Sequence, residues 1–528
     1  MSTVDRRLFL RAGLAASGLG ALSACGSGGE TSPPSRSAGL VRPTDPVVAA
    51  VDKARATTGQ TRRFALDAMV GEVDLGGPVV STWTYGGVLP GGAIRVRKGD
   101  VVEAVVTNGL PEATTMHWHG VALRNDMDGA PVTQTPIQPG KQFTYRFVAA
   151  EPGTYWFHPH IGVQQDRGLY ASLIVEDPTE KASYDEEWTV VLDDWIDGTG
   201  HTPDQVLATL RHGMGMSSAS TATAVPGMSM SGGSMGATVA AAGASATEGT
   251  GDGVSLMSET SALLGGDAGD VRYPYYLING RVPAAPAVFT GKPGQRVRIR
   301  ILNAGGDTAF RVALGSHTMT VTHTDGYPVT PTDTQSLLIG MGERYDVQVT
   351  LGDGAFPLVA LAEGKNAAAL ALVRTGAGSA PAGTVRPAEL NQMPLAYDRL
   401  HPTAAVTLAD RSPDVTGRVQ LTGGMTRYNW GLDGSTTYDP NNPLVLVRQG
   451  QRVRVTWTNT TTMWHPMHIH GHTFQINGTG PRKDTVIVKP GQTVTCDFDA
   501  DNPGQWMTHC HNVYHAESGM MGVIGYRT

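Results

Sequence analysis

The chain has 528 residues, long for a single core, and at about 150 residues per domain the length points to three or four domains. Its 67 glycines and 33 prolines, few helix-period segments and short alternating stretches between turn residues indicate an all-β protein. A formal net charge of −7 gives no support for nucleic-acid binding, and three cysteines allow at most one disulfide.

In chain order, residues 1–25 read as a targeting segment rather than as fold. Asp5-Arg6-Arg7-Leu8-Phe9-Leu10-Arg11 resembles a twin-arginine export signal, and the apolar run from Leu14 to Leu22 is too short to span a bilayer as a mature helix. It ends in Leu22-Ser23-Ala24-Cys25, which resembles a bacterial lipobox, so Cys25 is the expected lipidation site. The alternative is an ordinary cleaved signal with a chance cysteine. Residues 26–60, at first rich in Gly, Ser, Thr and Pro, are expected to be a flexible tether.

An internal repeat then organises the rest of the chain. Val96-Arg97-Lys98-Gly99-Asp100 running to Asn108, Lys292-Pro293-Gly294-Gln295-Arg296 running to Asn303, and Val447-Arg448-Gln449-Gly450-Gln451 running to Asn459 each place a glycine nine residues before an asparagine, with an alternating strand between. Three domains follow, at 61–178, 186–378 and 395–528.

The first and third copies stay in register for longer. Asn108 to His117 and Asn459 to His468 are both nine residues, and His119 to His158 and His470 to His509 are both thirty-nine. His117-Trp118-His119, His158-Pro159-His160, His465-Pro466-Met467-His468-Ile469-His470 and His509-Cys510-His511 are thus short clusters with spacing of two, which puts both imidazoles of a pair on one face of a strand. If the terminal domains pack face to face, eight imidazoles form a pseudo-symmetric cage. The middle copy has Val312 and Leu314 at the matching positions and so supplies no cage ligand.

Between the second cluster and the second repeat, residues 198–269 break the strand pattern. This stretch is rich in Gly, Ala, Ser and Thr, and carries Met214, Met216, Met228, Met230 and Met235 with His212 nearby. Low complexity suggests a surface insertion, and thioethers are soft ligands suited to Cu(I). The alternative is a loop with incidental methionines.

Near the C-terminus, Cys510, His465, His515 and Met520 make up a mononuclear copper site: a thiolate and two imidazoles as strong ligands, with a thioether as the weak axial one and Met521 as its spare neighbour. The first domain has Thr114, Pro159, Gln164 and Leu169 at these positions, so only the last domain holds such a site. An axial thioether generally leaves a lower potential than an apolar residue there, which makes strong oxidation of recalcitrant phenols less expected. Cys496, in the alternating run Thr493 to Phe498, is expected to be a buried core thiol.

With these four motifs, the sequence from about residue 60 onward resembles the bacterial three-domain multicopper oxidases, of the laccase-like and copper-efflux type. The resemblance implies three cupredoxin-like Greek-key β-barrels and four copper ions: one type 1, one type 2 and one type 3 pair. It carries His117 and His468 onto the type 2 copper, and His119, His158, His160, His470, His509 and His511 onto the type 3 pair. Cys510 then links the two sites covalently, and four one-electron oxidations reduce dioxygen to two waters. Relatives that lose their metals lose ligands first, whereas here every ligand position is filled.

The same resemblance places Asp128 at the position of a carboxylate close behind the copper ligands, where it would serve proton delivery; capping a turn in Asn125-Asp126-Met127-Asp128-Gly129 is the other reading. Where relatives often have a carboxylate after the last mononuclear-site histidine, this chain has Ala516, with Glu517 one residue later as the candidate. Met463 matches a methionine that helps bind substrate Cu(I) in copper-efflux oxidases. Their carboxylate two residues earlier is Thr461 here, and their methionine-rich insert usually lies in the last domain rather than the middle one. The expected activity is oxidation of Cu(I) with O2 as acceptor, in an exported, lipid-anchored monomer. A laccase acting on phenols or aromatic amines is one alternative, and a copper-buffering protein using the methionine-rich loop is another.

Overall fold

A computed structural model describes residues 39–180, 184–212 and 259–528. The export signal, Cys25 and the methionines at 214, 216, 228, 230 and 235 lie outside the described residues. Within them the regular structure is mostly strand, in three successive β units, each made of two main sheets.

The first unit has two four-stranded sheets, the second a six- and a five-stranded sheet, and the third again a six- and a five-stranded sheet. In every unit the repeat strand runs parallel to the unit's opening strand: Val101–Asn108 beside Thr61–Asp74, Arg296–Asn303 beside Glu186–Trp195, and Arg452–Asn459 beside Val415–Thr422. The first unit keeps its own core, including Val102, Ala104, Tyr155, Phe157 and Leu173 from both sheets. The cores of the second and third units merge into one cluster.

The repeated residues have local physical causes. Gly99, Gly294 and Gly450 have φ of +85°, +80° and +88°, a left-handed turn that a side chain would strain. At the far end of each strand the buried asparagine amide donates to two main-chain carbonyls: Asn108 to Glu112 and Ile137, Asn303 to Thr308 and Ile339, Asn459 to Met463 and Val488. The asparagine thus ties its strand to the two loops that follow it, satisfying carbonyls that burial would otherwise leave unpaired.

One expectation needs correction. The tether expected over 26–60 is packed structure from Gly39 onward. Leu40 and Val41 are buried, Val41 N–H donates to Tyr526 O at 2.8 Å, and Pro46–Ala54 forms a helix that buries Val48. The apolar residues of this stretch find a surface on the last unit that composition alone did not reveal. The described ends of the insertion expected over 198–269 carry regular structure. Pro203–His212 is an amphipathic helix burying Val206, Leu207 and Leu210, and Thr260–Ser261 pairs with Gly266–Asp267 as a short hairpin. No helix among the described residues is long and apolar enough to cross a membrane.

Candidate metal centre

The mononuclear cluster forms where the last two motifs meet. Met467 pairs with Cys510 across the strands His465–Ile469 and Gln505–Cys510, bringing the cysteine beside His465. His515 follows on the short helix Val513–Glu517, whose N-cap Asn512 accepts from the main-chain N–H groups of Tyr514 and His515. Cys510 Sγ lies 3.6 Å from His465 Nδ1 and 3.7 Å from His515 Nδ1, and the two nitrogens are 3.1 Å apart. Buried Met520 is held to both neighbours through its main chain, its N–H on His515 O and its carbonyl on Cys510 N–H, each at 3.0 Å. The Trp430 ring, 4.3 Å from that of His515, closes one side against water.

The two His-x-His strand pairs of each terminal unit meet in a second cluster. His117 pairs with His158 in the first unit, and His468 with His509 in the last. The units come together through ring stacks of His117 on His470 at 3.7 Å and His119 on His468 at 3.8 Å, giving the expected pseudo-symmetric cage. His117, His468 and His470 have ligand atoms within 4.8 Å of one another, as do His117, His119 and His158, and His160, His470 and His509.

The donor chemistry fits copper. His117, His158, His468, His509 and His470 place Nδ1 against the carbonyls of Asp128, Pro159, Asp484 and Cys510 and against Asp128 Oδ2, at 2.8 to 2.9 Å. Each Nε2 is thereby left with a lone pair facing inward. The Nε2 atoms of His117, His158 and His468 are buried without a hydrogen-bond partner, and those of His160 and His509 face each other at 3.2 Å. Lone pairs gathered this way call for a shared cation. Burial first, and neighbouring imidazoles second, hold His119, His158, His160, His465, His468 and His470 well below their usual range, and burial takes His509 to about 4. These side chains are therefore neutral, the form that ligates metal.

Asp128 meets the turn through its main chain and the histidine cage through its side chain. Its main-chain N–H closes the 3-10 turn Asn125–Met127, while its buried carboxylate lies 2.9 Å from His470 Nδ1 and 3.2 Å from His117 Nδ1, touching both terminal units. Glu517 lines a cavity of about 20 Å³ with His160, His509, Cys510 and His511, enough for about one water. Burial raises its carboxyl above the usual range. Met463 is buried, and Thr461 Oγ1 lies 2.9 Å from His465 Nε2, where it satisfies the ring nitrogen without adding charge.

Three residues here had no signal in the sequence. Asp270, at the end of the insertion, accepts from Tyr428 at 2.5 Å and lies 2.9 Å from His515 Nε2. Burial alone would lower His515; the opposed Asp270 charge overrides it and takes the metal-free imidazole up to about 10. Arg344 of the middle unit and Asp484 of the last form a buried pair against His119. None of the three lies in a histidine motif, and their partners are tens to hundreds of residues away.

Comparison with known proteins agrees with this geometry. Three family models, each described as multicopper oxidase, match residues 70–180, 186–378 and 410–527. The chain is 47% identical to multicopper oxidase MmcO of Mycobacterium tuberculosis, over 99% of this chain and 97% of that one. It is 28% identical to a copper resistance protein A homolog of Pseudomonas syringae pv. tomato, over 86% of this chain and 91% of that one. Among solved structures, a laccase from Botrytis aclada matches with a TM-score of 0.66 at 25% identity, covering 90% of this chain and 89% of that one. The chain belongs to the multicopper oxidases: it is an oxidoreductase that uses O2 and holds four copper ions, one type 1, one type 2 and one type 3 pair.

Proposed function

We propose that this enzyme oxidises Cu(I), with O2 as electron acceptor, in a copper-resistance role. Cys510, His465, His515 and Met520 are the type 1 ligands in this reading; His117 and His468 hold the type 2 copper, and His119, His158, His160, His470, His509 and His511 the type 3 pair. When bound, the coppers take electrons singly and reduce dioxygen to water. The chain's own contribution is to carry electrons from Cys510 into the flanking His509 and His511, and to bring protons through Asp128 on one side and Glu517 on the other.

The observation that carries the substrate choice is the cover over the mononuclear site. His465 and His515 are both 0% exposed, and their outer Nε2 atoms are occupied by Thr461 and Asp270. A phenol ring therefore meets no open imidazole edge among the described residues. The methionine-rich sequence between 212 and 259 is joined to the chain at this same cover. On one side Arg211 donates to Glu517 O, and on the other Gly266 lies against Thr462 and Gly265 against Pro490. Thioethers are soft ligands that suit Cu(I), and Met463 is buried two residues before His465. Laccase activity on phenols is the second reading, favoured by the likeness to the B. aclada laccase. Export, a lipid on Cys25 and a monomeric state complete the proposal.

Oxygen uptake by copper-loaded protein, with Cu(I) and a simple phenol in parallel, tests it. Cu(I) is expected to be the faster substrate, and deleting residues 212–236 is expected to remove that advantage while sparing phenol turnover. Faster uptake on the phenol, or equal loss of both activities on deletion, overturns the cuprous reading.

A further inference from the structure

The middle unit supplies none of the clustered histidines, yet it forms part of the cage wall. Gly342, with φ of +83°, lies so near that a Cβ there would fall 2.8 Å from His511 Cδ2 and 3.0 Å from His119 Cε1. Two residues on, Arg344 is wholly buried and directs Nη1 and Nη2 to the two oxygens of Asp484 at 2.7 and 2.6 Å. Its Nε donates to Thr154 O of the first unit at 3.0 Å, and its main-chain N–H to Asp325 at 2.8 Å. The guanidinium thus stands where all three units meet. A two-pronged arginine–carboxylate pair fixes the plane of the carboxylate as well as neutralising it.

Held in that plane, Asp484 serves two cage histidines. Its Oδ1 lies 3.0 Å from His119 Nε2, and its main-chain carbonyl 2.8 Å from His468 Nδ1. His119 is therefore turned the opposite way from the five imidazoles that give up Nδ1 and offer Nε2. It gives up Nε2, and its Nδ1 faces His511 Nε2 at 3.2 Å. The nitrogen an imidazole offers to metal is set by the hydrogen bond made by the other one. Asp484 Oδ1 also accepts from Thr485 Oγ1 at 2.9 Å, and that hydroxyl oxygen lies 3.2 Å from His119 Nε2, so a second acceptor backs the carboxylate at the same ring nitrogen.

We propose that the Arg344–Asp484 pair is a positioning device for the coupled copper pair: it keeps the ring hydrogen of His119 on Nε2, so that Nδ1 is the atom presented to metal. This rests on His119 being a copper ligand, as read above. The middle unit, without a ligand of its own, then decides how one of the ligands is used.

Asp484→Asn is the informative variant. Whichever way its amide is turned, its NH2 opposes one guanidinium N–H, so the two-pronged clamp is broken and the plane that aims Oδ1 at His119 is no longer fixed. With that plane released, the ring hydrogen of His119 is no longer held on Nε2, and Nδ1 is no longer reserved for metal. The expected result is about a 10- to 100-fold loss of affinity for the coupled coppers. It is read as copper per chain and as loss of the EPR-silent pair, with the blue cysteine–copper band unchanged. Arg344→Lys, which keeps the charge without the fork, is expected to fall between the two. Full copper and an intact EPR-silent pair in Asp484→Asn overturn the proposal, as does a blue band that declines in step with total copper. If Asp484→Asn fails to fold, Arg344→Lys and a crystal structure of the copper-loaded wild type decide the matter, and His119 bound through Nε2 refutes it. His119→Ala with undiminished copper would instead remove the ligand reading itself.

Discussion

The first and last β units hold the same geometry with different chemistry. Thr114 and Gln164 of the first stand where His465 and His515 stand in the last, and their side chains meet at 2.8 Å as the two imidazoles meet at 3.1 Å. Thr114 bridges to Ile137 as His465 pairs with Val488. His158 turns Nδ1 to Pro159 O as His509 turns Nδ1 to Cys510 O. A neutral hydroxyl–amide contact therefore fills one copy of a site that, in the other, gathers a thiolate and two imidazoles. The scaffold brings four positions together in either case, and residue identity decides whether a metal has any reason to bind there.

The largest test of this contrast makes the last unit resemble the first. Cys510→Ser removes the thiolate, and oxygen uptake and the blue colour are expected to vanish while three coppers remain in the cage by elemental analysis; retained turnover would contradict the role given to Cys510.

The pH dependence of copper loading separates the mononuclear site from the cage. Metal-free His515 is raised from 6.5 to about 10, so its charged pair with Asp270 stabilises the fold fully below about pH 6.5 and loses that contribution as pH rises toward 10. Copper must displace this proton, and its affinity for the site is expected to rise about tenfold per pH unit across the window. Asp270→Asn should flatten that slope in a competition titration. The cage histidines that burial already holds low, His158, His160, His468 and His470 among them, should show no comparable rise above pH 7.

Asp128 bridges both terminal units at the cage. Asp128→Asn is expected to lower oxygen uptake about 10- to 100-fold, with the blue band kept. Stopped-flow turnover across pH would reveal whether its proton or only its hydrogen bonds matter.

Smaller effects are expected at the repeat asparagines. Replacing Asn108, Asn303 or Asn459 by alanine strands two buried carbonyls, at a cost of about 1–3 kcal/mol in each unit, seen as a lowered Tm. Asn459→Ala alone should also disturb the blue spectrum, because it frees the loop bearing Thr461 and Met463. The mildest change rebuilds the missing site. Thr114→His with Pro159→Cys and Gln164→His is expected to add one bound copper, counted by elemental analysis.

The sequence by itself determined the all-β class, the threefold repeat and the histidine and cysteine clusters. Each of these is carried by local spacing: a period of two along a strand, a glycine that a turn requires, and an asparagine nine residues later. Metal-ligand chemistry is also legible locally, because few side chains offer a soft thiolate or a neutral imidazole. What only the tertiary structure decided is everything that depends on partners distant in the chain. The packed segment from Gly39, the Asp270 contact at His515 and the Arg344–Asp484 pair behind His119 join residues separated by up to hundreds of positions, and no periodicity marks them. A carboxylate in a loop has the same appearance in sequence whether it faces water or an imidazole. Burial is what turns it from a solvated charge into a part of the site, and burial is a property of the folded chain.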